Sequence, residues 1–202
     1  MSRPKAIIFD FDGVIHDTFD FHLEKIREFT GFNLTPQIYR DMHNGNFFRS
    51  VPKELVDVNW EDYRDYVYDL QSSLIIKNEI KYVLHKLGDE FSLFIVTSGG
   101  KKNIFDYLQN NGVVDKFTEV LGMEICNSKV RKFELIFEKY KFNSDECLFV
   151  TDTLGDIIEA NKVGIKTIGV DFGFHDEKTL VKGEPELIIS HFDELFNYLS
   201  RF

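Results

Sequence analysis

The sequence predicts an α/β fold in which a doubly wound parallel sheet carries a small α-helical cap inserted after its first strand. Short, continuous apolar runs alternate along the chain with segments of helical periodicity, which is the pattern of a parallel sheet covered by helices. One long stretch after the first apolar run departs from this alternation, because it carries helical patterns only. A chain of 202 residues is long enough for one such core with a single insertion.

The predicted strands are apolar runs that are continuous rather than alternating, as expected for strands buried on both faces. Five runs have this character, at residues 6–9, 93–96, 148–150, 167–170 and 187–189. Between and after them, apolar residues recur at helical spacing, and glycines close several of these segments. The core helices are predicted at residues 80–87, 104–108, 133–140, 157–163 and 194–199.

The stretch after the first strand is predicted to form a cap over the carboxyl edge of the sheet. Helical spacing recurs within residues 23–29 and again within residues 63–70, with no convincing buried strand between them. We therefore assign residues 1–16 and 77–202 to the α/β core and residues 17–76 to the helical cap.

Charge and cysteine content exclude several classes of protein. Asp and Glu number 34 against 24 Lys and Arg, which gives a formal net charge of -10. Such an acidic surface repels polyphosphates, so neither nucleic acid nor an anionic membrane is an expected partner. Cys126 and Cys147 are too few for a disulfide framework and are expected to be reduced thiols. No signal peptide or long apolar run is evident, so a cytoplasmic location is expected.

Two aspartates follow the first predicted strand, at the edge where parallel sheets of this kind bind ligands. Asp10 and Asp12 are two residues apart and point to the same side of an extended chain. Gly13 lets the backbone turn sharply or approach a ligand closely. The alternative is a turn stabilised by the aspartate side chains, and this segment alone does not separate the two interpretations.

A second pair of aspartates follows the strand predicted at residues 148–150. Asp152 and Asp156 fall between this strand and the next helix, where either one alone is commonly a helix N-cap. If the two strands are neighbours, four carboxylates converge, and such a cluster is unfavourable without a cation. Oxygen ligands of this kind suit Mg²⁺, which usually arrives with a phosphate group.

Hydroxyl and lysine side chains supply groups that bind an anion. Thr97 and Ser98 follow a predicted strand and precede two glycines, so they offer donors to an anion or, alternatively, cap the next helix. Lys129 and Lys132 lie at the start of another predicted helix, where a lysine is unfavourable with the helix dipole. A nearby anion explains a lysine there, and so does chance at the surface.

These four signals, in this order, resemble the motifs of the haloacid dehalogenase superfamily of phosphohydrolases. Residues 10–14 are similar to its first motif, Thr97 to its second, a lysine ahead of the fourth strand to its third, and residues 151–156 to its fourth. The resemblance covers nearly the whole chain. The inserted helical segment resembles the first type of cap, as in the phosphoglycolate phosphatase-like members of the superfamily.

The resemblance implies a Rossmann-like core and a role for each motif aspartate. Asp10 is the implied nucleophile, which forms an aspartyl-phosphate, and Asp12 is the implied general acid and base. Mg²⁺ is the implied cofactor, held by Asp10, by the backbone carbonyl of Asp12 and by Asp152. Asp156 is not expected to bind the metal directly. It is expected to hydrogen-bond the metal's water ligands or to orient the lysine.

The phosphate oxygens are expected to contact Thr97, Ser98 and Lys129. Two departures from the family pattern concern this part of the site. Thr151 stands where the family commonly has Gly or Ser, and the third motif lacks the frequent Lys-Pro pair. Lys132 therefore remains an alternative to Lys129, although the alignment of the following helix favours Lys129.

Three further residues are candidates for substrate specificity. Arg49, in a polar stretch of the cap, is predicted to touch a second anionic group, with a solvated helix connection as the alternative. His16 directly follows the first motif and faces the cleft or serves the hinge of the cap. His175 follows the last central strand and is expected to edge the site.

The predicted function is Mg²⁺-dependent hydrolysis of a small phosphorylated metabolite. A phosphomutase on the same fold and a catalytically idle regulatory or binding protein of that fold are the alternatives. A hydrolytic dehalogenase is disfavoured, because its chemistry does not need the carboxylates of a metal site. The sequence identifies neither the substrate nor the choice between monomer and homodimer.

Overall fold

A six-stranded, fully parallel sheet forms the centre of the computed structural model, which describes residues 3–202. The strand order is β3-β2-β1-β4-β5-β6, so the chain winds outward from β1 in one direction and from β4 in the other. A ligand crevice is expected at the carboxyl edge of β1 and β4, where the winding reverses. The strands are β1 (Ala6–Phe9), β2 (Ser92–Val96), β3 (Phe117–Leu121), β4 (Cys147–Thr151), β5 (Lys166–Val170) and β6 (Leu187–Ile189).

Ten α-helices accompany the sheet within residues 3–202. Short 3₁₀ turns lie at Lys53–Leu55, Val114–Lys116, Ser144–Glu146 and Val181–Gly183. The α-helices are α1 (Phe19–Thr30), α2 (Pro36–Asp41), α3 (Phe47–Ser50), α4 (Trp60–Ser72), α5 (Asn78–Gly88), α6 (Lys101–Asn110), α7 (Lys129–Tyr140), α8 (Leu154–Asn161), α9 (Glu177–Leu180) and α10 (Phe192–Leu199). None of them is long and apolar enough to cross a membrane.

The predicted fold class is confirmed, and the sheet has one strand more than predicted. All five predicted runs are strands, with ends that agree within one residue. The additional strand, β3, lies at the edge of the sheet beside β2. It lacks a continuous apolar run because Phe117 and Glu119 are half-buried and Thr118 is exposed. An edge strand needs less apolar sequence than a central one, which is why periodicity did not reveal it.

Helices cover both faces of the sheet. One face packs against α5, α6 and α10, where Leu84, Tyr107 and Leu195 are buried. The other packs against α7 and α8, where Phe133 and Ala160 are buried. Because all four inner strands are covered on both sides, their carboxyl ends are fixed relative to one another.

The helices α1–α4 lie between β1 and α5 and pack around an apolar cluster of their own. Leu23, Met42 and Val67 are buried in this cluster. Phe174, from the segment after β5, completes it and so ties these helices to the α/β core. The first predicted helix here ends at Gly31, whose φ of 69° is the left-handed conformation that glycine favours at a helix C-terminus.

We predict that Phe133→Ala destabilises the protein by about 3–5 kcal/mol, because the ring is fully buried between α7 and the sheet and its loss leaves a cavity. Urea denaturation followed by circular dichroism measures this change. Phe105→Ala is the matched control, since this helical phenylalanine is 42% exposed and its loss should cost under about 0.5 kcal/mol. Equal losses for the two variants would contradict the assignment of the core.

Candidate active site

The two predicted aspartate motifs meet where β1 and β4 end. The strands are paired in register, with Phe9 beside Val150. The backbone N–H of Asp10 donates to the carbonyl of Val150 at 2.9 Å, so the pairing continues into the first aspartate. Asp10 and Asp152 therefore leave neighbouring strands at the same edge of the sheet, as expected for parallel strands.

A buried lysine bridges the two motifs. Lys129 Nζ lies 2.8 Å from Asp10 Oδ2 and 2.5 Å from Asp156 Oδ2. The side chain is almost completely buried at the first turn of α7. Burial acts to lower the pKa of Lys129, but the charges of Asp10 and Asp156 outweigh this and raise its pKa, so the ammonium stays charged. The two carboxylates are the anions that make a lysine favourable at this helix start.

The alternative lysine has a different position. Lys132 Nζ donates to the carbonyl oxygen of Thr97 at 2.6 Å and does not bridge the aspartates. Burial lowers the pKa of Lys132 to about 8, with the nearby charge of Lys129 acting in the same direction. The structure therefore places Lys129 at Asp10, while Lys132 supports the loop after β2 from behind.

The threonine that departs from the family pattern has a partner in this cluster. Thr151 Oγ1 donates to Asp156 Oδ2 at 2.8 Å, the same oxygen that contacts Lys129. Burial acts to raise the pKa of Asp156, but Lys129, Asp10 and Thr151 together hold its pKa below the usual range. Asp156 is thus a charged group that orients the lysine.

Two glycines border the buried carboxyl group of Asp152. A Cβ built on Gly13 would lie 1.9 Å from Asp152 Oδ2, and one built on Gly173 would lie 2.4 Å from it. Gly13 also has a φ of 75°, in the left-handed region. Asp152 Oδ2 accepts a hydrogen bond from the N–H of Phe174 at 2.7 Å. Glycine is therefore required at position 13 both for the backbone turn and for room beside the carboxylate.

The remaining oxygen of Asp152 has no partner in the described chain. Oδ1 is fully buried and accepts no hydrogen bond. Burial raises the pKa of Asp152 to about 8, a change that reflects an anion without enough compensating charge. An orphaned buried carboxylate oxygen beside Asp10 is what a bound cation would stabilise.

The donor set therefore fits a hard divalent cation such as Mg²⁺. Two carboxylates, on Asp10 and Asp152, stand at one strand edge, and the carbonyl of Asp12 belongs to the same turn. Oxygen donors of this kind are those that Mg²⁺ prefers. No group of three or more His, Cys, Asp or Glu side chains within residues 3–202 is arranged to hold a metal, which is compatible with a set of two carboxylates and one carbonyl.

Asp12 is held by two residues of the helical insertion. Its Oδ1 accepts a hydrogen bond from Thr18 Oγ1 at 2.7 Å and lies 3.2 Å from His22 Nε2. The other ring nitrogen of His22 contacts the hydroxyl of Tyr63 at 2.7 Å. Burial acts to raise the pKa of Asp12, but His22 and Thr18 outweigh it and lower that pKa. The group predicted to move protons is therefore positioned by helices outside the α/β core.

His22 was not among the residues predicted for the site. A signal was present, because the buried stripe of α1 consists of Phe19, His22, Leu23 and Ile26. A histidine within an apolar helical stripe needs a polar partner on the facing side. Helical spacing alone could have shown the burial, but not that the partner is Asp12.

A small cavity, which we call the inner cavity, lies against the carboxylates and the buried lysine. Its volume is about 40 Å³. Thr97 and Ser98 border it from the end of β2, and Thr97 Oγ1 accepts a hydrogen bond from the N–H of Gly99 at 2.9 Å. The structure brings six of the predicted site residues together at the inner cavity. They are Asp10, Asp12, Thr97, Ser98, Lys129 and Asp156.

Three residues of the insertion and one of α8 also border the inner cavity without having been predicted there. They are His43, Gly45 and Phe47 of the insertion and Glu159 of α8. Glu159 is buried and accepts a hydrogen bond from Asn46 Nδ2 at 3.2 Å. The backbone N–H of Gly155 donates to the carbonyl of His43 at 2.9 Å, which holds this loop against the start of α8.

A second cavity, which we call the cap cavity, continues from the inner cavity under the helical insertion. Its volume is about 100 Å³. Asp12, His43 and Ser98 border both cavities, so Asp12 stands at their junction. The rest of its wall includes apolar and aromatic side chains, among them Phe47, Phe48, Trp60, Tyr63, Val67 and Met123, together with the polar side chains of His22, Arg64, Gln71 and Asn103.

The three predicted specificity residues do not reach either cavity. Arg49 is exposed on α3, whose aromatic residues point inward in its place. His175 is buried, with Nδ1 accepting from the N–H of Leu154 at 2.9 Å and Nε2 2.9 Å from the carbonyl of Arg40. Both ring nitrogens of His175 are therefore committed to tying the insertion to the core.

His16 does not face the inner cavity, which was one of the two positions predicted for it. The turn after β1, closed by a hydrogen bond of 2.7 Å from Gly13 N–H to the carbonyl of His16, directs its ring away from the inner cavity. Its Nδ1 contacts the hydroxyl of Tyr107 at 2.8 Å. His16 borders a separate cavity together with Lys77 and Phe192.

Comparison with known families agrees with this geometry. The family model described as haloacid dehalogenase-like hydrolase matches residues 7–170, which include β1, the insertion and the strand ends that carry the site. The chain belongs to this family. The matched region contains every aspartate and lysine of the inner cavity.

Within the family, the chain resembles phosphoglycolate phosphatases. It is 28% identical over 125 residues to the phosphoglycolate phosphatase of Vibrio vulnificus (strain YJ016), covering 60% of this chain and 54% of that protein. It is 27% identical over 97 residues to that of Synechococcus elongatus, covering 48% of this chain and 46% of that protein. The chain thus spans about half the length of the curated relatives it matches.

Solved structures of the family share the fold along nearly the whole chain. A haloacid dehalogenase-like hydrolase of Streptococcus pneumoniae superimposes with a TM-score of 0.81 at 19% identity, covering 98% of this chain and 99% of that one. CbbY of Rhodobacter sphaeroides, in complex with phosphate, superimposes with a TM-score of 0.78 at 13% identity, covering 95% and 96%. At these identities the likeness establishes the fold.

The raised pKa of Asp152 predicts a pH dependence of stability in the metal-free protein. The folded carboxyl holds its proton up to about pH 8, whereas the unfolded one releases it near 3.8. The folded state therefore binds more protons between these values, and the stability that Asp152 contributes is lost as pH rises through this window. We therefore compare the free energy of unfolding of Asp152→Asn with that of the wild type in EDTA. The value for Asp152→Asn should rise relative to the wild-type value as pH increases from about 4 to about 8.

Urea denaturation at several pH values measures this difference. Asp57→Asn, a change at an exposed aspartate, is the control and should keep a constant difference from the wild type. A constant difference for Asp152→Asn as well would show that its carboxyl is not the unpaired buried anion described above.

Proposed function

We propose that this protein is a Mg²⁺-dependent phosphatase that hydrolyses a small phosphorylated metabolite through an aspartyl-phosphate on Asp10. The observation that carries the proposal is the buried Lys129 between Asp10 and Asp156, next to the unpaired oxygen of Asp152. The proposed nucleophile and a fixed positive charge thus border one cavity, and an unpaired carboxylate oxygen lies on the segment after the neighbouring strand. Phosphoryl transfer depends mainly on such positioning and charge stabilisation.

Asp10 is the proposed nucleophile. Its Oδ1 accepts the N–H of Phe11 at 2.8 Å, and its Oδ2 contacts Lys129, so the carboxylate is fixed in orientation. Burial raises the pKa of Asp10 well above its ordinary value, while the charge of Lys129 opposes the rise and favours the ionised form. A bond from an Asp10 oxygen to phosphorus forms as the bond from phosphorus to the leaving oxygen breaks.

Asp12 is the proposed general acid and base. It stands at the junction of the two cavities, where the oxygen between phosphorus and the leaving group would lie. A phosphate dianion in the inner cavity would disfavour the charged form of Asp12 by like-charge repulsion, and so favour the protonated form needed to release the leaving group. After release, the lowered pKa that His22 and Thr18 impose favours the carboxylate. Asp12 then takes a proton from water as the water oxygen bonds to phosphorus and the bond from phosphorus to Asp10 breaks.

The remaining groups bind the phosphoryl oxygens and the metal. Lys129, Thr97 and Ser98 border the inner cavity and are the proposed donors to the transferred group. Asp10, the carbonyl of Asp12 and Asp152 are the residues that would hold Mg²⁺. When bound, the ion supplies positive charge that offsets the charge of the phosphoryl group.

The size of the cavities supports a small soluble substrate. The inner and cap cavities have volumes of about 40 and 100 Å³, and His43 and Phe47 of the insertion border both. We therefore extend the proposal to residues 17–76 as a cap that shields the reaction from solvent. The similarity to phosphoglycolate phosphatases supports a monoester as the reacting group.

The test is steady-state hydrolysis of p-nitrophenyl phosphate by the wild type, by Asp10→Asn and by Asp57→Asn. We expect turnover that is lost on addition of EDTA and restored by excess Mg²⁺. Asp10→Asn should lower kcat roughly a thousandfold or more, because an amide oxygen cannot replace the nucleophile. Asp57→Asn, at an exposed position, should match the wild type.

Two outcomes would contradict the proposal. Equal turnover by Asp10→Asn and the wild type would exclude Asp10 as the nucleophile. Absence of turnover by the wild type across many phosphate monoesters, with Mg²⁺ present, would favour a protein that keeps the fold without the activity.

A further inference from the structure

The composition of the cap cavity limits what the substrate can carry beside its phosphate, if the proposed function holds. Most of the wall is aromatic or aliphatic, with Phe47, Phe48, Trp60 and Val67 among the lining side chains. A volume of about 100 Å³ is small against the ~300–1,000 Å³ of ordinary ligand pockets. The cavity therefore suits a small group that gains from burial of apolar surface.

Positive charge in this wall is already neutralised. Among the arginines and lysines of residues 3–202, Arg64 alone lines the cap cavity. Its Nη1 lies 3.3 Å from Glu124 Oε1, and its Nε lies 3.2 Å from Asp65 Oδ1. Asp12, at the other end of the cavity, contributes a negative charge. A second anionic group of the substrate would therefore meet no free counter-charge, and its desolvation would be uncompensated.

The polar side chains of the wall are also largely paired with one another. Asn103 Nδ2 donates to Gln71 Oε1 at 3.3 Å and to the carbonyl of Arg64 at 3.0 Å. Gln71 Nε2 lies 3.4 Å from His22 Nε2, which also contacts Asp12. Asn103 and Gln71 are thereby committed to neighbouring groups rather than to the leaving group of a substrate.

One residue at the junction of the cavities has a buried ring nitrogen without a partner in the described chain. The nitrogen is Nε2 of His43, a residue that borders both cavities. The ring is held between aromatic neighbours, with centroids 4.8 Å from Phe174, 5.2 Å from Tyr39 and 5.2 Å from Phe47. Burial lowers the pKa of His43 to about 3, so its ring is neutral and offers a hydrogen bond without charge.

We propose that the cap cavity selects phosphate monoesters whose leaving group is small, uncharged and largely apolar, and that His43 Nε2 hydrogen-bonds an oxygen of the substrate at the junction. Esters whose leaving group bears a carboxylate or a second phosphate are disfavoured. Phosphoglycolate belongs to the disfavoured class, so the selectivity of this chain differs from the activity named for its curated relatives.

The selectivity is tested with pairs of esters that differ in charge. The pairs are phenyl phosphate with 4-carboxyphenyl phosphate, and propyl phosphate with phosphoglycolate, each assayed with Mg²⁺. In each pair, we expect kcat/KM to be at least about tenfold higher for the ester whose leaving group bears no carboxylate. The reason is that burying an unpaired carboxylate is costly. Equal or higher kcat/KM for the charged members would overturn the proposal.

Adding a cation to the wall should change this ratio. Phe48→Lys places an ammonium among the residues of the cap cavity, so the preference for phenyl phosphate over 4-carboxyphenyl phosphate should narrow by about tenfold. Val56→Lys is the matched control, because position 56 is 64% exposed and lies outside both cavities. If both variants change the ratio equally, the effect is one of overall charge and the cavity is not the selecting element.

The contact of His43 is tested by His43→Phe, which keeps a ring and removes Nε2. We expect kcat/KM for phenyl phosphate to fall about tenfold through the loss of a substrate hydrogen bond, with no loss of thermal stability. A purely structural role for His43 predicts a lower melting temperature instead. An unchanged kcat/KM would overturn this part of the proposal.

Failure of this inference and failure of the proposed function are distinguishable. Turnover that depends on Asp10 but favours phosphoglycolate would overturn the selectivity and leave the phosphatase activity standing. Absence of turnover for all four esters would overturn the phosphatase activity, and the selectivity with it.

Discussion

The buried ion cluster of Lys129 with Asp10 and Asp156 is the interaction on which the rest of the site depends. An ammonium at 3% exposure is tolerable only with charged partners at contact distance, and each partner comes from a different segment. Asp10 directly follows β1, Asp156 lies in the first turn of α8, and Lys129 begins α7. The three segments are consequently fixed against one another at the carboxyl edge of the sheet. Removing one partner would leave a buried charge uncompensated, so the cluster is a structural constraint as well as the centre of the proposed phosphate site.

The helical insertion completes the site by two kinds of contact. It positions Asp12 through Thr18 and His22, and it closes over the inner cavity through the loop that contains His43 and Gly45. The close approach of this loop requires a glycine in α8, because a Cβ on Gly155 would lie 2.2 Å from the carbonyl oxygen of Gly45. The same insertion therefore positions Asp12, the proposed proton-transferring residue, and borders the space proposed for the leaving group.

The sequence predicted the fold and the inner cavity well because both depend on local patterns. Central parallel strands require continuous apolar runs, and the residues after them fall at one edge by topology. β3 was missed because an edge strand tolerates polar residues such as Thr118. His22 and His43 were missed as contacts because their burial depends on how the insertion docks, a property of packing between distant segments. Arg49 was expected near the site from its charge, but the aromatic residues of α3 occupy the inward face.

The central claim is that Asp10 takes up the phosphoryl group, and trapping this group tests it most directly. A single turnover of phenyl phosphate with Mg²⁺, quenched in acid within milliseconds, would be followed by proteolysis and mass spectrometry of the peptide that contains residues 6–16. The account predicts covalent phosphate on Asp10 in the wild type and none there in Asp10→Asn. Turnover without any phosphorylated peptide, or with phosphate on another residue such as Ser98, would contradict it.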